Sequence, residues 1–165
     1  MDLYFLRHGK AEKTGLVGGT DEERPLTGRG KSEIRSTAGW IRSQGCMFDY
    51  IATSPLMRAY ETAAIVAEVY QDSDGPVVWE ELSPGMEFDR LLYRIREQGY
   101  LTSLLLVGHE PSLSTWISMI ISGGVDGRIV LKKGGVAKIV NFIPAPEPYG
   151  DLVWLLSPGL MQKMS

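Results

Sequence analysis

Two histidines, His8 and His109, are the only imidazoles in the chain of 165 residues. Each follows a short apolar run, Leu3 to Leu6 and Leu104 to Val107, and each has a glycine beside it. Such a run ending at glycine reads as a buried strand passing into a loop. Open α/β sheets bind ligands at the carboxyl ends of their strands, so both histidines fall where such a fold builds a site. Arginine marks the same rim. Arg7 precedes His8, and Arg58 lies in Ser54-Pro55-Leu56-Met57-Arg58, where Ser54 is expected to cap a helix with Pro55 at its first position. A helix start attracts anions through its free N–H groups and macrodipole. A guanidinium one turn further in can fork onto the same anion. Two arginines and two imidazoles make a compact basic cluster in a chain of net charge −3. The natural ligand of such a cluster is a phosphoryl group.

The chemistry follows from that ligand. A neutral imidazole is a competent nucleophile toward phosphorus near neutral pH. With His8 attacking, Arg7, Arg58 and a protonated His109 would stabilise charge on the equatorial oxygens. The leaving group needs a proton, and Glu81 is the candidate donor because it directly follows an expected third strand, Pro76-Val77-Val78-Trp79. Glu80 is its neighbour, and strand alternation would turn at most one of the two toward the site. Lys10, next to Gly9, adds a positive charge beside the nucleophile; it reads either as a charge that favours an acidic substrate surface or, the preferred reading, as a solvated cation.

The elements that must position these groups alternate along the chain. Residues 10 to 26 are polar and glycine-rich with no apolar period, a long surface loop of the kind that is usually functional or disordered. Thr27 caps an expected helix through about Arg42, with Ile34, Ala38 and Ile41 on one face and Gly45 as its stop. Tyr50 to Thr53 is a second strand, and Leu56 to Tyr70 continue the Ser54-Pro55 helix. Phe88 to Gln98 and Pro111 to Ile121 read as helices on either side of the Leu104 to Val107 strand. Gly135 to Phe142 and Leu152 to Leu156 form a late strand pair around a proline-rich turn. The order predicts a three-layer α/β/α domain with a mostly parallel mixed central sheet, occupying residues 1–165 as one unit.

Composition bounds the class. A hydrophobic content of 44% supports a real core, and 22% charged residues argues against disorder. The mild net negative charge gives no reason to expect nucleic acid or an acidic membrane as partner. No apolar stretch approaches the length needed to span a bilayer, so a soluble protein is expected. The one cysteine, Cys46, cannot form an internal disulfide and has no base near it in sequence. It reads as a buried thiol, and a reducing cytoplasm is the simplest compartment.

Three blocks, in order, resemble the histidine phosphatase superfamily, also called phosphoglycerate-mutase-like. They are Arg7-His8-Gly9, the helix start Ser54-Pro55-Leu56-Met57-Arg58-Ala59-Tyr60-Glu61-Thr62-Ala63, and Val107-Gly108-His109-Glu110-Pro111. Small size, Arg24-Pro25-Leu26-Thr27, Glu81-Leu82-Ser83-Pro84 and the ending Trp154-x-x-Ser157-Pro158 are similar to the SixA-type phosphohistidine phosphatases. The resemblance implies a cytoplasmic phosphatase working through a phosphohistidine intermediate on His8, with no metal or other cofactor. It implies that Arg7, Arg58 and His109 bind the phosphoryl group, with Glu110 in the same block as His109 and Arg24 bordering the site. The partner it implies is a phosphorylated protein carrying phosphohistidine, or a small phosphorylated metabolite.

Rival readings have their own marks. A phosphomutase of the same superfamily typically has a polar residue and then Asn in the first loop. Here the loop runs Lys10-Ala11-Glu12-Lys13, and the chain is short for a lidded sugar-phosphate site. A phosphate-binding module without turnover sits poorly with the intact set of Arg7, His8, Arg58 and His109. A metallohydrolase needs three or four clustered ligands, and two histidines without close spacing make a poor metal site.

Overall fold

The computed structural model describes residues 1–13, 19–144 and 147–164. Strand β1 (Asp2–Arg7) leads through the long loop to α1 (Gly28–Ser43), β2 (Tyr50–Thr53), α2 (Met57–Tyr70) and a two-residue β3 (Val77–Val78). A 3-10 turn, Glu80–Leu82, precedes α3 (Phe88–Glu97), β4 (Ser103–Gly108) and α4 (Ser112–Ser122). Strands β5 (Val136–Ile143) and β6 (Tyr149–Leu156) and a short α5 (Pro158–Met161) complete the order. The six strands lie as β3-β2-β4-β1-β5-β6. The first four in that row are mutually parallel, β5 runs antiparallel to β1, and β6 antiparallel to β5. This is the mixed, mostly parallel sheet the pattern predicts.

Side-chain alternation makes the three layers. In β1, Leu3 and Phe5 enter one core with α3 and α4, while Tyr4 and Leu6 enter a second with α1 and α2. Strand β4 repeats the division, with Leu104 and Leu106 on the first side and Leu105 and Val107 on the second. Strands covered on both faces read as continuous apolar runs, which is why Leu3 to Leu6 and Leu104 to Val107 have no polar alternation. Cys46 is buried in the second core.

Local signals account for most boundaries. Thr27 accepts a hydrogen bond from Gly30 N at 2.9 Å and caps α1, and Ile34, Ala38 and Ile41 are fully buried along that helix. Gly45, with φ of 72°, follows its end. Two expectations need correction. Helix α2 starts at Met57, after an extended Leu56, so Pro55 is not its first residue and Ser54 is not its cap residue. The third strand contains Val77 and Val78 alone, both exposed, and Trp79 leaves it. Glu80 and Glu81 therefore sit in the 3-10 turn, and strand alternation does not govern where they point.

No helix among the described residues is long and apolar enough to cross a membrane.

Candidate active site

The adjacent strands β1 and β4 end side by side, with Arg7 opposite Gly108 in register. His8 and His109, one residue beyond each, therefore meet, their ring centroids 5.1 Å apart and their planes inclined by 53°. The backbone around His8 is held on both sides. Its N–H donates to Gly108 O at 3.1 Å, and Gly134 N donates to Arg7 O and His8 O at 3.1 and 3.2 Å. Arg7 N donates in turn to Gly135 O at 3.0 Å.

The imidazole of His8 is 7% exposed. Its Nδ1 lies 2.7 Å from Gly9 O, and a carbonyl can only accept, so Nδ1 carries the proton. Nε2 is left with its lone pair. Burial pushes the pKa of His8 down to about 3; the Gly9 carbonyl works against this, and His109, Arg58 and Arg7 add to it. The ring is thus neutral at physiological pH with a fixed tautomer, the state a nucleophilic imidazole requires.

His109 is tied to Ser54. Its Nε2 is 2.8 Å from Ser54 Oγ, and that oxygen accepts from Leu56 N at 3.3 Å. The serine proton is then free to go to Nε2, which places the imidazole proton on Nδ1. That Nδ1 is buried with no protein partner, and so are Arg7 Nε and Arg58 Nε. Unsatisfied buried donors are costly and rare; these three belong to the residues whose charges or ring act on His8, and together they are a donor set, or cradle, that acceptor oxygens would satisfy. Burial, followed by Arg58, lowers the pKa of His109 to about 4. The expectation of a protonated second imidazole therefore needs correction. His109 is a neutral donor.

The arginines are anchored by backbone and carboxylate. Arg7 Nη1 donates to Leu131 O at 2.9 Å. Arg58, 5% exposed, donates through Nη1 to Asp21 O at 2.7 Å, and its Nη2 lies 3.1 Å from Asp21 Oδ2. Arg24 pairs with the same carboxylate, Nη2 to Oδ1 at 2.6 Å, and reaches Glu12 O through Nη1 at 2.9 Å. Asp21 is slightly desolvated, which favours its neutral form, but the two guanidiniums outweigh this and hold its carboxyl below the usual range.

Among the residues singled out in the sequence, Arg7, His8, Arg58 and His109 converge here, and Arg24 reaches Arg58 through Asp21. Glu110 is engaged elsewhere: its two carboxylate oxygens accept from Ser114 N and Ser114 Oγ at 3.1 and 2.6 Å, at the start of α4. Glu81 is partly buried in the 3-10 turn. Exposed Glu80 helps line a cavity of about 520 Å³ together with Asp21, Pro55 and Leu56. Two contributors were not anticipated. Thr62 accepts from Gly9 N at 3.1 Å and donates to Arg58 O at 2.7 Å, joining the His8-Gly9 turn to α2. Its spacing of four from Arg58 on one helix face was the available signal. Asp21 lies in the aperiodic loop, where no spacing distinguishes one carboxylate from another. No group of three or more His, Cys, Asp or Glu disposed to hold a metal ion occurs among the described residues.

Comparison with known proteins agrees with this geometry. The family model of the histidine phosphatase superfamily (branch 1) matches residues 3–83. An uncharacterised protein of Picosynechococcus sp. is 35% identical over 138 residues, covering 82% of each chain. The phosphohistidine phosphatase SixA of Escherichia coli is 27% identical over 126 residues, which is 74% of this chain and 76% of that one. A structure of the protein histidine phosphatase SixA with tungstate superimposes with a TM-score of 0.82 over 98% of this chain and 99% of that chain, at 24% identity. Paired imidazoles at neighbouring strand ends, arginines around them and kinship along most of the length lead to one conclusion: the chain belongs to the histidine phosphatase superfamily.

Proposed function

We propose that the protein is a phosphatase that removes phosphoryl groups from histidine side chains of proteins, through a covalent phosphohistidine on His8. The observation that carries this reading is the 2.7 Å contact between His8 Nδ1 and Gly9 O, which leaves Nε2 unprotonated beside the cradle donors. Nε2 attacks phosphorus and forms a P–N bond while the bond to the leaving group breaks; a substrate imidazole departs with the proton it already carries in its protonated form, and a less activated leaving group takes its proton from Glu81. Water then attacks the phosphohistidine, the P–N bond breaks, neutral His8 is regenerated and orthophosphate, carrying the water's oxygen, is released. Arg7, Arg58 and His109 Nδ1–H supply donors to the equatorial oxygens, where charge concentrates in transfer.

The choice of an N-linked substrate rests on the proton donor. A phosphorylated imidazole becomes a good leaving group once protonated, so it asks less of an enzyme acid than an alkyl ester does. Asp21, the carboxylate nearest the arginines, is held ionised by Arg24 and Arg58 and is a poor acid. Glu81 remains the proposed donor for the less activated substrates, with Arg24 at the phosphate rim. Kinship with the E. coli phosphohistidine phosphatase supports the same substrate class.

The test is substitution and trapping. His8→Ala should abolish hydrolysis of phosphohistidine protein and of an aryl phosphate. Unmutated protein quenched during turnover should carry an acid-labile, alkali-stable phosphoryl group. Full activity in the mutant, or an acid-stable adduct, would overturn the mechanism.

A further inference from the structure

Two lysines flank the strand end that carries His8: Lys10, two residues after it, and Lys133, next to the Gly134 whose N–H donates to Arg7 O and His8 O. Burial of the Lys133 ammonium, and after it the charges of Arg7, Arg24, Lys10 and Arg58, lower its pKa. Facing the five cations, the carboxylate paired to the cluster among the described residues is Asp21, bound to Arg24 and Arg58. Glu22 and Glu80 line the cavity beside Asp21 without pairing to either lysine. Lys10 and Lys133 are both exposed and without an ion-pair partner among the described residues.

Both lysines stand on fixed backbone. Lys133 belongs to the turn before β5, where Gly134, with φ of 69°, donates to Arg7 O and His8 O and its own carbonyl accepts from Thr37 Oγ1 at 3.3 Å. A side chain at Gly134 would be strained there, so the turn has one way to sit against the nucleophile's strand. Lys10 is fixed from the other side. Its carbonyl accepts from Thr27 N at 2.9 Å and from Thr27 Oγ1 at 3.2 Å. Two anchored backbones carrying exposed, unpaired ammonium groups on either side of the His8 turn are disposed for a second anion beside the first. In a chain of net charge −3 this pairing of lysines is not general surface character.

We propose that Lys10 and Lys133 form a second-anion subsite that reads an acidic side chain flanking the phosphorylated residue of a protein substrate. The inference rests on the phosphatase reading for its substrate, but it can be measured apart from turnover. Two peptides carrying the same phosphohistidine are compared, one flanked by aspartates and the other by asparagines. Wild-type protein should favour the aspartate peptide by about five- to tenfold in kcat/KM, the scale of one or two partly screened ion pairs. In Lys133→Gln and in Lys10→Gln this ratio should fall toward parity, whatever each substitution does to turnover of an aryl phosphate. The same preference should appear in dissociation constants measured with His8→Ala, and it should shrink as salt is raised. Equal use of the two peptides by wild type, or a preference retained in both lysine variants, would overturn the subsite. Peptide preference in binding with no turnover by wild type would instead overturn the phosphatase reading and leave the subsite standing.

Discussion

Replacing Arg58 by lysine keeps a positive charge and removes the planar fork. The guanidinium spends Nη1 and Nη2 on Asp21 and leaves Nε as a buried free donor; an ammonium cannot reproduce both at once. Arg58→Lys should therefore lower kcat/KM by roughly 10²- to 10³-fold, the usual scale for losing one preorganised donor to a developing anion. A steady-state assay with an aryl phosphate measures it, and a loss below about threefold would remove Arg58 from the cradle. The pH profile offers a second check at the same scale. Because burial holds His8 near about 3, the free imidazole is already neutral through the mildly acidic range. After correction for the substrate's own ionisation, kcat/KM should show no acid limb at the ordinary histidine pKa of about 6.5. These residues were legible because strand ends and motif spacing marked them. The neutral state of His109 was not, since charge state depends on burial depth and on how many cations crowd the ring.

At the scale of elements, α1 supports the site through its first turn. Gly30 packs against Lys10 O so closely that a methyl group there would collide with the carbonyl. Gly30→Ala should push the Lys10 segment outward, lower stability by about 1–3 kcal/mol as overpacked sites do, and reduce kcat/KM as well. Denaturant titration and steady-state kinetics on the one variant would show whether both effects occur. The Thr27 cap of α1 was legible because its hydroxyl, while donating to Lys10 O, still has a lone pair to accept from Gly30 N. Ser54 looked like an equally good cap, yet its hydroxyl is committed to His109, and α2 begins three residues later. Local signals fail where a functional site takes over the side chain that would have obeyed them. For Glu80 and Glu81 the failure has another origin: β3 is two residues long, too short to impose its alternation on the residues after Trp79.

For the whole molecule, the two buried imidazoles link folding to pH. Both have folded pKa values below the ordinary 6.5, about 3 for His8 and about 4 for His109. Above pH 6.5 neither state binds the protons, and their contribution to stability is complete. As pH falls below 6.5 the unfolded chain takes them up first, so stability is lost progressively down to the folded values. Urea unfolding should accordingly show a lower midpoint at pH 5 than at pH 7.5, and His109→Gln should flatten that slope. The carboxylates with lowered pKa, such as Asp49, act further into acid, so the window between is diagnostic for histidine. The layered α/β architecture was legible from the order of elements alone. The placement of β5 beside β1 was not, because sequence pattern says nothing about which strand a late antiparallel partner will choose. That placement has a consequence for synthesis. Met1 exchanges hydrogen bonds with Phe142, and the Arg7 and His8 carbonyls wait for Gly134. Strand β1 thus finds this neighbour more than a hundred residues later in the chain. A nascent chain halted before β5 carries His8 but lacks the turn that seats it, so the His8 turn is fixed only after that strand has been made.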